Sequence, residues 1–151
     1  MISAAMTIVP FSARMQREAE KLVVDGLVER WGFNDPEKNP DLRDISDAYR
    51  GGEFFVGLLD GRIVATGAVV QESHSVARIM RMSVVRELRG EGLGKAMLTH
   101  LEQVARSRGC HTSVLETTAD WSDAINFYRS QGYAVEGYAN GDAHFRKALE
   151  S

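Results

Sequence analysis

The stretch that decides the fold runs Met80-Arg-Met-Ser-Val-Val-Arg-Glu-Leu-Arg-Gly-Glu-Gly-Leu-Gly-Lys95. It predicts a β-strand that ends near Val85, then Arg89 with three glycines at alternate positions, and then a helix. Glycines let the backbone approach a ligand closely, and the first N–H groups of a helix have no partner inside it. Because the helix dipole is positive at that end, the junction predicts a cradle for a phosphate group. Arg89 and Lys95 add formal positive charge.

Two common phosphate motifs do not fit this junction. The Walker pattern G-x-x-x-x-G-K-[ST] fails twice, because Arg89 stands at its first glycine and Ala96 at its Mg²⁺-binding hydroxyl. The dinucleotide pattern G-x-G-x-x-G fits Gly90 and Gly92 but has Lys95 in place of its last glycine. A nucleotide-dependent oxidoreductase is therefore disfavoured.

Around the junction, the hydrophobic pattern predicts one domain, residues 1–151, of the mixed α/β class. The predicted strands are Met6–Phe11, Glu53–Leu59, Arg62–Gln71, Val76–Val85, Thr112–Thr117, Tyr133–Tyr138 and Ala143–Leu149. The predicted helices are Ser12 to about Arg30, Asp41–Arg50, Gly94–Arg108, and one that Asp120 caps and Gly132 ends. The pair Asp60-Gly61 predicts a hairpin, because both turn positions need a positive φ.

Composition excludes several classes of function. The 151 residues carry 18 Lys+Arg and 21 Asp+Glu, a net charge of −3, which argues against a nucleic-acid partner. Apolar runs are far shorter than the ~20 residues of a membrane span, and no signal peptide is recognisable at the N-terminus. The one cysteine, Cys110, fits a reducing cytoplasm, and the histidines lack metal-ligand spacing. We expect a cytoplasmic protein with no metal and no membrane or nucleic-acid partner.

The junction nevertheless matches one known pattern, R/Q-x-x-G-x-G/A, as Arg89-Gly-Glu-Gly92-Leu-Gly94. This motif resembles the coenzyme A pyrophosphate loop of the GNAT family, the GCN5-related N-acetyltransferases. Met82-Ser-Val-Val resembles the end of the family's fourth strand. Ala124-Ile-Asn-Phe-Tyr-Arg-Ser-Gln-Gly-Tyr133 resembles its late helix, usually A-x-x-F/L-Y-x-x-x-G-F/Y. The resemblance covers about Glu53 to Leu149, whereas the first fifty residues match only in element order.

The resemblance implies a fold and an activity. The fold would be a mostly antiparallel mixed sheet with helices on both faces, whose parallel fourth and fifth strands splay apart. The activity would be acetyl-CoA-dependent N-acetylation of a primary amine, on a small molecule or a peptide, by direct attack. Acetyl-CoA would be the acyl-donor co-substrate, and a homodimer is left open. The alternative is a non-catalytic CoA-binding or regulatory module on the same fold.

The resemblance also implies a set of cofactor contacts. Backbone N–H groups of the loop would face the pyrophosphate, and pantetheine would pair with the fourth strand like an extra strand. The implied contacts are Met82, Val84, Val85, Arg89, Gly90, Glu91, Gly92, Leu93, Gly94 and Lys95. Trp31 and Phe33 lie in the region that walls the family's acceptor site, and either bind substrate or close the core.

Catalytic groups are implied less completely. Tyr128 matches the family tyrosine beside the cofactor sulfur, where a phenol can act as general acid; the alternative is a core tyrosine. The family's base positions on the fourth strand hold Arg78 and Met80, and neither can take a proton at neutral pH. Glu72 is the candidate base, with His74 and Glu116 as further substitutes, acting directly or through water.

Overall fold

One sheet of seven strands, in the order β1-β2-β3-β4-β5-β7-β6, organises the described residues 5–32 and 38–149 of this computed structural model. The strands are β1 Thr7–Pro10, β2 Glu53–Leu59, β3 Arg62–Gln71, β4 Val76–Val84, β5 Thr112–Thr118, β6 Ala134–Ala139 and β7 Asp142–Ala148. Neighbouring strands are antiparallel except β4 and β5, which are parallel. The predicted mixed α/β class is confirmed.

Four α-helices accompany the strands in these ranges: α1 Gln16–Trp31, α2 Ile45–Ala48, α3 Leu93–Ser107 and α4 Ser122–Ser130. Helix α2 keeps only four residues of the predicted Asp41–Arg50 span, because a 3-10 turn at Pro40–Arg43 precedes it. The predicted Asp120 cap of α4 is wrong. The N-cap is Trp121, whose N–H donates to Thr118 O, and no side chain caps the helix.

The hairpin of β2 and β3 follows the prediction residue for residue. Asp60 and Gly61 form its turn with φ of 52° and 77°, the left-handed values that such a turn needs. The two strands pair from Glu53 opposite Val69 to Leu59 opposite Arg62. Strand β3 of this hairpin contacts α1 on one face of the sheet and α3 on the other.

Helices cover both faces of the sheet, as the resemblance implied. Helices α3 and α4 pack on one face over a core that includes Ile79, Leu101 and Phe145. Helices α1 and α2 pack on the other face, over a second core that includes Phe54 and Val56. Helix α1 lies against β3 and β4, so its C-terminal end approaches the border between β4 and β5.

The border between β4 and β5 opens after a short paired segment. Three residue pairs join the strands, and the last is Arg78 opposite Val114. Beyond it, β4 carries a bulge at Arg81, whose φ is 54°, and its register against β3 shifts between Thr66 and Ala68. The Thr66 hydroxyl donates to Arg81 O at 2.8 Å. A bulge bends its strand, so β4 turns away from β5 and leaves the expected gap between them.

Candidate active site

The glycine loop has the backbone geometry that a close approach requires. Strand β4 is followed by a 3-10 turn at Arg86–Leu88, and Gly90 and Gly92 then adopt φ of 83° and 86°. These left-handed values favour glycine, because a Cβ is strained there. A Cβ on either glycine would meet no atom within 4 Å, so the surface beside them is open.

The loop also presents unpaired N–H groups. After Arg89, the next residue whose N–H is bonded is Ala96, which donates to Gly92 O at 3.1 Å. Within the described ranges, the hydrogen bonds include none in which an N–H of residues 90–95 is the donor. Such donors at a helix N-terminus bind anions, with the dipole adding to their attraction. The junction therefore has the donors that an anionic group such as a pyrophosphate needs.

The Arg89 side chain forms contacts within the protein, although its charge would also suit a phosphate group. Its Nε donates to Val84 O at 3.1 Å, and its guanidinium pairs with Glu29 of α1. The hydrogen bond from Arg89 lowers the pKa of Glu29. The side chain thus fastens the loop to β4 and α1, and its direct contact with a cofactor stays a prediction. Lys95 is exposed, close to the free N–H groups.

The open edge of β4 can receive an extended ligand at alternate residues. Val85 N–H donates to Val64 O at 2.9 Å, so this group is already used by β3. Because backbone groups alternate along a strand, those of Met82 and Val84 point toward the gap. Their side chains pack against the core on the α3 face. Met82 and Val84 therefore have the backbone direction that an extended ligand would need, although Val84 O already accepts from Arg89 Nε. The contacts of Met82, Val84 and Val85 with pantetheine stay predictions.

Tyr128 lies in the core on the α3 and α4 face with an unused hydroxyl. The residue is 9% exposed, and its ring packs 5.1 Å from that of Phe127 and 5.9 Å from that of Phe145, centroid to centroid. A Cβ on Gly94 would lie 3.5 Å from Phe127, so α4 meets the loop end of α3. No hydrogen bond among the described residues involves the Tyr128 hydroxyl. Burial raises the pKa of Tyr128 well above its usual value, so it remains a neutral donor.

Arg78 occupies one of the family's base positions and forms ion pairs with two of the candidate bases. Its guanidinium pairs with Glu72 and with Glu116. The hydrogen bond to Glu72 raises the pKa of Arg78, although burial opposes this. Glu72 sits at the paired end of β4, and its role as base stays a prediction. His74 is exposed in the turn between β3 and β4.

Sequence patterns did not single out His144 as a functional residue. Strands β5 and β7 pair with Glu116 directly opposite His144, which places both side chains on the α1 face of the sheet. Only the register of two strands distant in sequence brings them together. No spacing along the chain could have indicated this pair.

Helices α1 and α4 meet beside the gap through Trp31 and its neighbours. The ring of Trp31 is 5.5 Å from that of Trp121, and Trp31 remains 52% exposed. The Arg30 guanidinium lies 4.4 Å from the Trp121 ring centroid and donates to both carboxylate oxygens of Asp123, at 2.9 and 2.7 Å. Trp31 thus faces solvent at the mouth of the gap. Phe33 lies outside the described residues.

In residues 5–32 and 38–149, no three His, Cys, Asp or Glu side chains are grouped to hold a metal ion. Over the same residues, no helix combines the length and apolar character that crossing a membrane requires.

A sheet that opens between parallel β4 and β5, next to a glycine loop with free N–H groups, defines the fold of the acyl-CoA N-acyltransferases. Residues 21–133 match the model of the Acetyltransferase (GNAT) family. The chain belongs to this family, which confirms the resemblance read from its motifs.

Known proteins place the chain in the same context. N-acetyltransferase 8 of Rattus norvegicus is 33% identical over 105 residues, which are 64% of this chain and 47% of the rat protein. The chain spans about half the length of the curated relatives it matches. A GNAT acetyltransferase of Staphylococcus aureus superposes with a TM-score of 0.87 at 18% identity, over 97% of this chain and all of that one. The PaiA N-acetyltransferase of Thermoplasma acidophilum, solved with coenzyme A, gives 0.83 at 14% identity, over 96% and 99% of the two chains.

Proposed function

We propose that the chain is an acetyl-CoA-dependent N-acetyltransferase of the reducing cytoplasm, which acetylates a primary amine by direct attack. One observation carries the proposal: the N–H groups of residues 90–95 have no partner among the described residues, in a glycine loop that follows the strand parting from β5 beyond Arg78. The match of α4 to the family motif assigns the unused Tyr128 hydroxyl to the same gap. The loop would hold an anionic pyrophosphate, and the phenol would meet the thiolate leaving group. Relatives named as N-acetyltransferases support the same activity.

Each part of the gap has a task in such a reaction. The N–H groups of residues 90–95 bind the pyrophosphate, and the gap-facing backbone of Met82 and Val84 aligns the pantetheine arm. The Tyr128 hydroxyl then donates a proton or a hydrogen bond to the sulfur as negative charge develops there. The amine approaches from the α1 face, where Trp31 lies at the mouth of the gap. Acetyl-CoA supplies the activated acyl group.

A second function is favoured by one specific observation. The base positions of β4 hold Arg78 and Met80, and Arg78 engages the carboxylates of Glu72 and Glu116. A non-catalytic CoA-binding module on the same fold would need no base. The two functions differ in one measurable property, which is turnover.

A thiol-release assay with acetyl-CoA decides between the two functions. The panel should contain aliphatic monoamines, diamines, free amino acids and peptides with free N-termini, and acetylated product should be identified by mass spectrometry. We expect at least one amine to stimulate thiol release and to gain an acetyl group. Calorimetric binding of acetyl-CoA without turnover on any amine would favour the non-catalytic module, and absence of binding would refute both functions.

A further inference from the structure

The α1 face of β4, β5 and β7 forms a cleft of about 300 Å³ beside the opening of the gap. Arg78 and Val114 line its floor at the last paired position of β4 and β5. Glu116 follows Val114 by two residues, so it lies on the same face and borders the gap. His144 lines the cleft from the adjoining strand. The cleft thus adjoins the position where β4 and β5 cease to pair and the gap begins.

The pairing of β5 with β7 sets His144 beside Glu116. The two residues are direct cross-strand partners, and side chains in such pairs have Cβ atoms about 4.5–5.5 Å apart. His144 Nε2 is buried and has no hydrogen-bond partner among the described residues. A buried imidazole nitrogen without a partner is costly unless a ligand or a proton engages it.

The charges around the cleft favour the binding of a cation. The charged groups that line the cleft are Glu72, Arg78, Glu136 and Arg146, and Glu116 adjoins them as a partner of Arg78. Each guanidinium is already engaged: Arg78 with two carboxylates, and Arg146 with Glu136 at 2.5 Å. Three carboxylates against two guanidiniums leave one negative charge unbalanced. An ammonium ion at Glu116, or the imidazolium formed when His144 takes its proton, would balance that charge.

We propose that Glu116 binds the acceptor as its ammonium ion and that His144 is the base that removes the proton. The ammonium N–H bond breaks, its electron pair stays on the amine nitrogen, and a new N–H bond forms on the imidazole, directly or through one water. His144 then releases the proton to solvent in the cleft. This assignment rests on the proposed N-acetyltransferase function. It gives the chain a base that the fourth strand lacks.

The test is the pH–rate profile of His144→Gln on the primary amine that releases thiol fastest in the panel. A protonated imidazole cannot accept a proton, so wild-type kcat/KM should fall toward acid. His144→Gln should lose about 10²-fold at pH 7, and the loss should shrink at high pH, where free amine is abundant. The matched control His111→Gln, which changes an exposed histidine just before β5, should keep the wild-type profile.

Two further variants separate chemistry from folding. His144→Ala should regain rate with added imidazole, which a purely structural role would not allow. Glu116→Gln should raise KM for the amine more than it lowers kcat, with acetyl-CoA affinity unchanged. A wild-type pH profile in His144→Gln, or absence of imidazole rescue in folded His144→Ala, would overturn the assignment while wild-type turnover still supported the proposed function. A wild-type enzyme that acetylates no amine would instead refute the proposed function.

Discussion

Tyr128 and Tyr133 have ring centroids 6.0 Å apart but use their hydroxyls differently. The Tyr133 hydroxyl donates to Glu102 at 2.8 Å and bonds Ser113 at 2.7 Å, in a buried network that Lys147 completes. The Tyr128 hydroxyl takes part in none of the hydrogen bonds of the described ranges. The Tyr133 hydroxyl therefore stabilises the fold, whereas the Tyr128 hydroxyl is free for a ligand.

Replacing each tyrosine by phenylalanine should give opposite phenotypes. Tyr128→Phe should lower kcat by about 10²–10⁴-fold, with acetyl-CoA affinity and unfolding free energy little changed, because the lost bond matters as charge develops on sulfur. Tyr133→Phe should cost about 1–3 kcal/mol of stability, because it leaves Glu102 short of a partner, and should keep kcat. Steady-state kinetics and urea unfolding measure both. Wild-type kcat in Tyr128→Phe, on a substrate whose chemistry is rate-limiting, would make Tyr128 a core residue only.

At the scale of an element, the bulge in β4 is held by the segment around α2. Arg81 donates two hydrogen bonds to the Asp41 carboxylate, at 2.8 and 2.6 Å, and the Tyr49 hydroxyl donates to the same group at 2.6 Å. Burial alone would raise the pKa of Asp41, but the bonds from Arg81 and Tyr49 outweigh it and lower the pKa. This bidentate pair offsets the strain of a positive φ at Arg81.

A double-mutant cycle on Asp41→Ala and Arg81→Ala should show this coupling. We expect an interaction of about 1–3 kcal/mol in the free energy of unfolding, because the pair is half-buried and bidentate. The control is the exposed pair Lys21–Asp25, one helical turn apart in α1 at 2.6 Å, which should couple by only about 0.3–0.5 kcal/mol. Equal coupling in the two pairs would mean that Asp41 does not hold the bulge.

At the scale of the whole molecule, His100 should make stability depend on pH. Burial lowers its pKa, with Glu53 opposing, and its ring packs 4.5 Å from Phe55. The unfolded chain then binds the proton more readily than the folded chain. The contribution of neutral His100 to the free energy of unfolding is therefore complete above about pH 6.5 and is lost as pH falls. Urea unfolding should show that the free energy of unfolding declines from about pH 8 to about pH 5.5. The decline should be smaller in His100→Leu, and in exposed His111→Gln it should equal that of the wild type. An equal decline in His100→Leu would contradict this cause.

The features that the sequence predicted are those with local signals. The turn at Asp60-Gly61 depends on two adjacent residues, and the start of α3 depends on Gly92 and the apolar stripe that follows it. The order of helices and strands along the chain followed from the hydrophobic pattern and the turn residues. Local signals thus sufficed for the elements and the fold class, whereas the cofactor contacts of the loop stay a prediction.

The features that escaped prediction depend on contacts between distant segments. The bulge at Arg81 is held by Asp41, 40 residues earlier. His144 meets Glu116 only through strand register, and Arg30 meets Asp123 across 93 positions. Trp121 displaced Asp120 as the N-cap because a turn ends β5 at Thr118. Hydrophobic periodicity does not indicate which distant residues will meet. The pair of Glu116 and His144 could therefore be found only in the structure.

Binding of acetyl-CoA to a Gly92→Asp variant, measured by calorimetry, tests the central claim most directly. The control is Gly109→Asp at the opposite end of α3, where φ is also 86° and the surrounding space is also open. Both changes impose the same backbone strain, but only the change at Gly92 would set a carboxylate against the pyrophosphate. We predict that Gly92→Asp abolishes binding while Gly109→Asp retains it. Equal affinity in the two folded variants would contradict the assignment of residues 90–95 as the cofactor cradle.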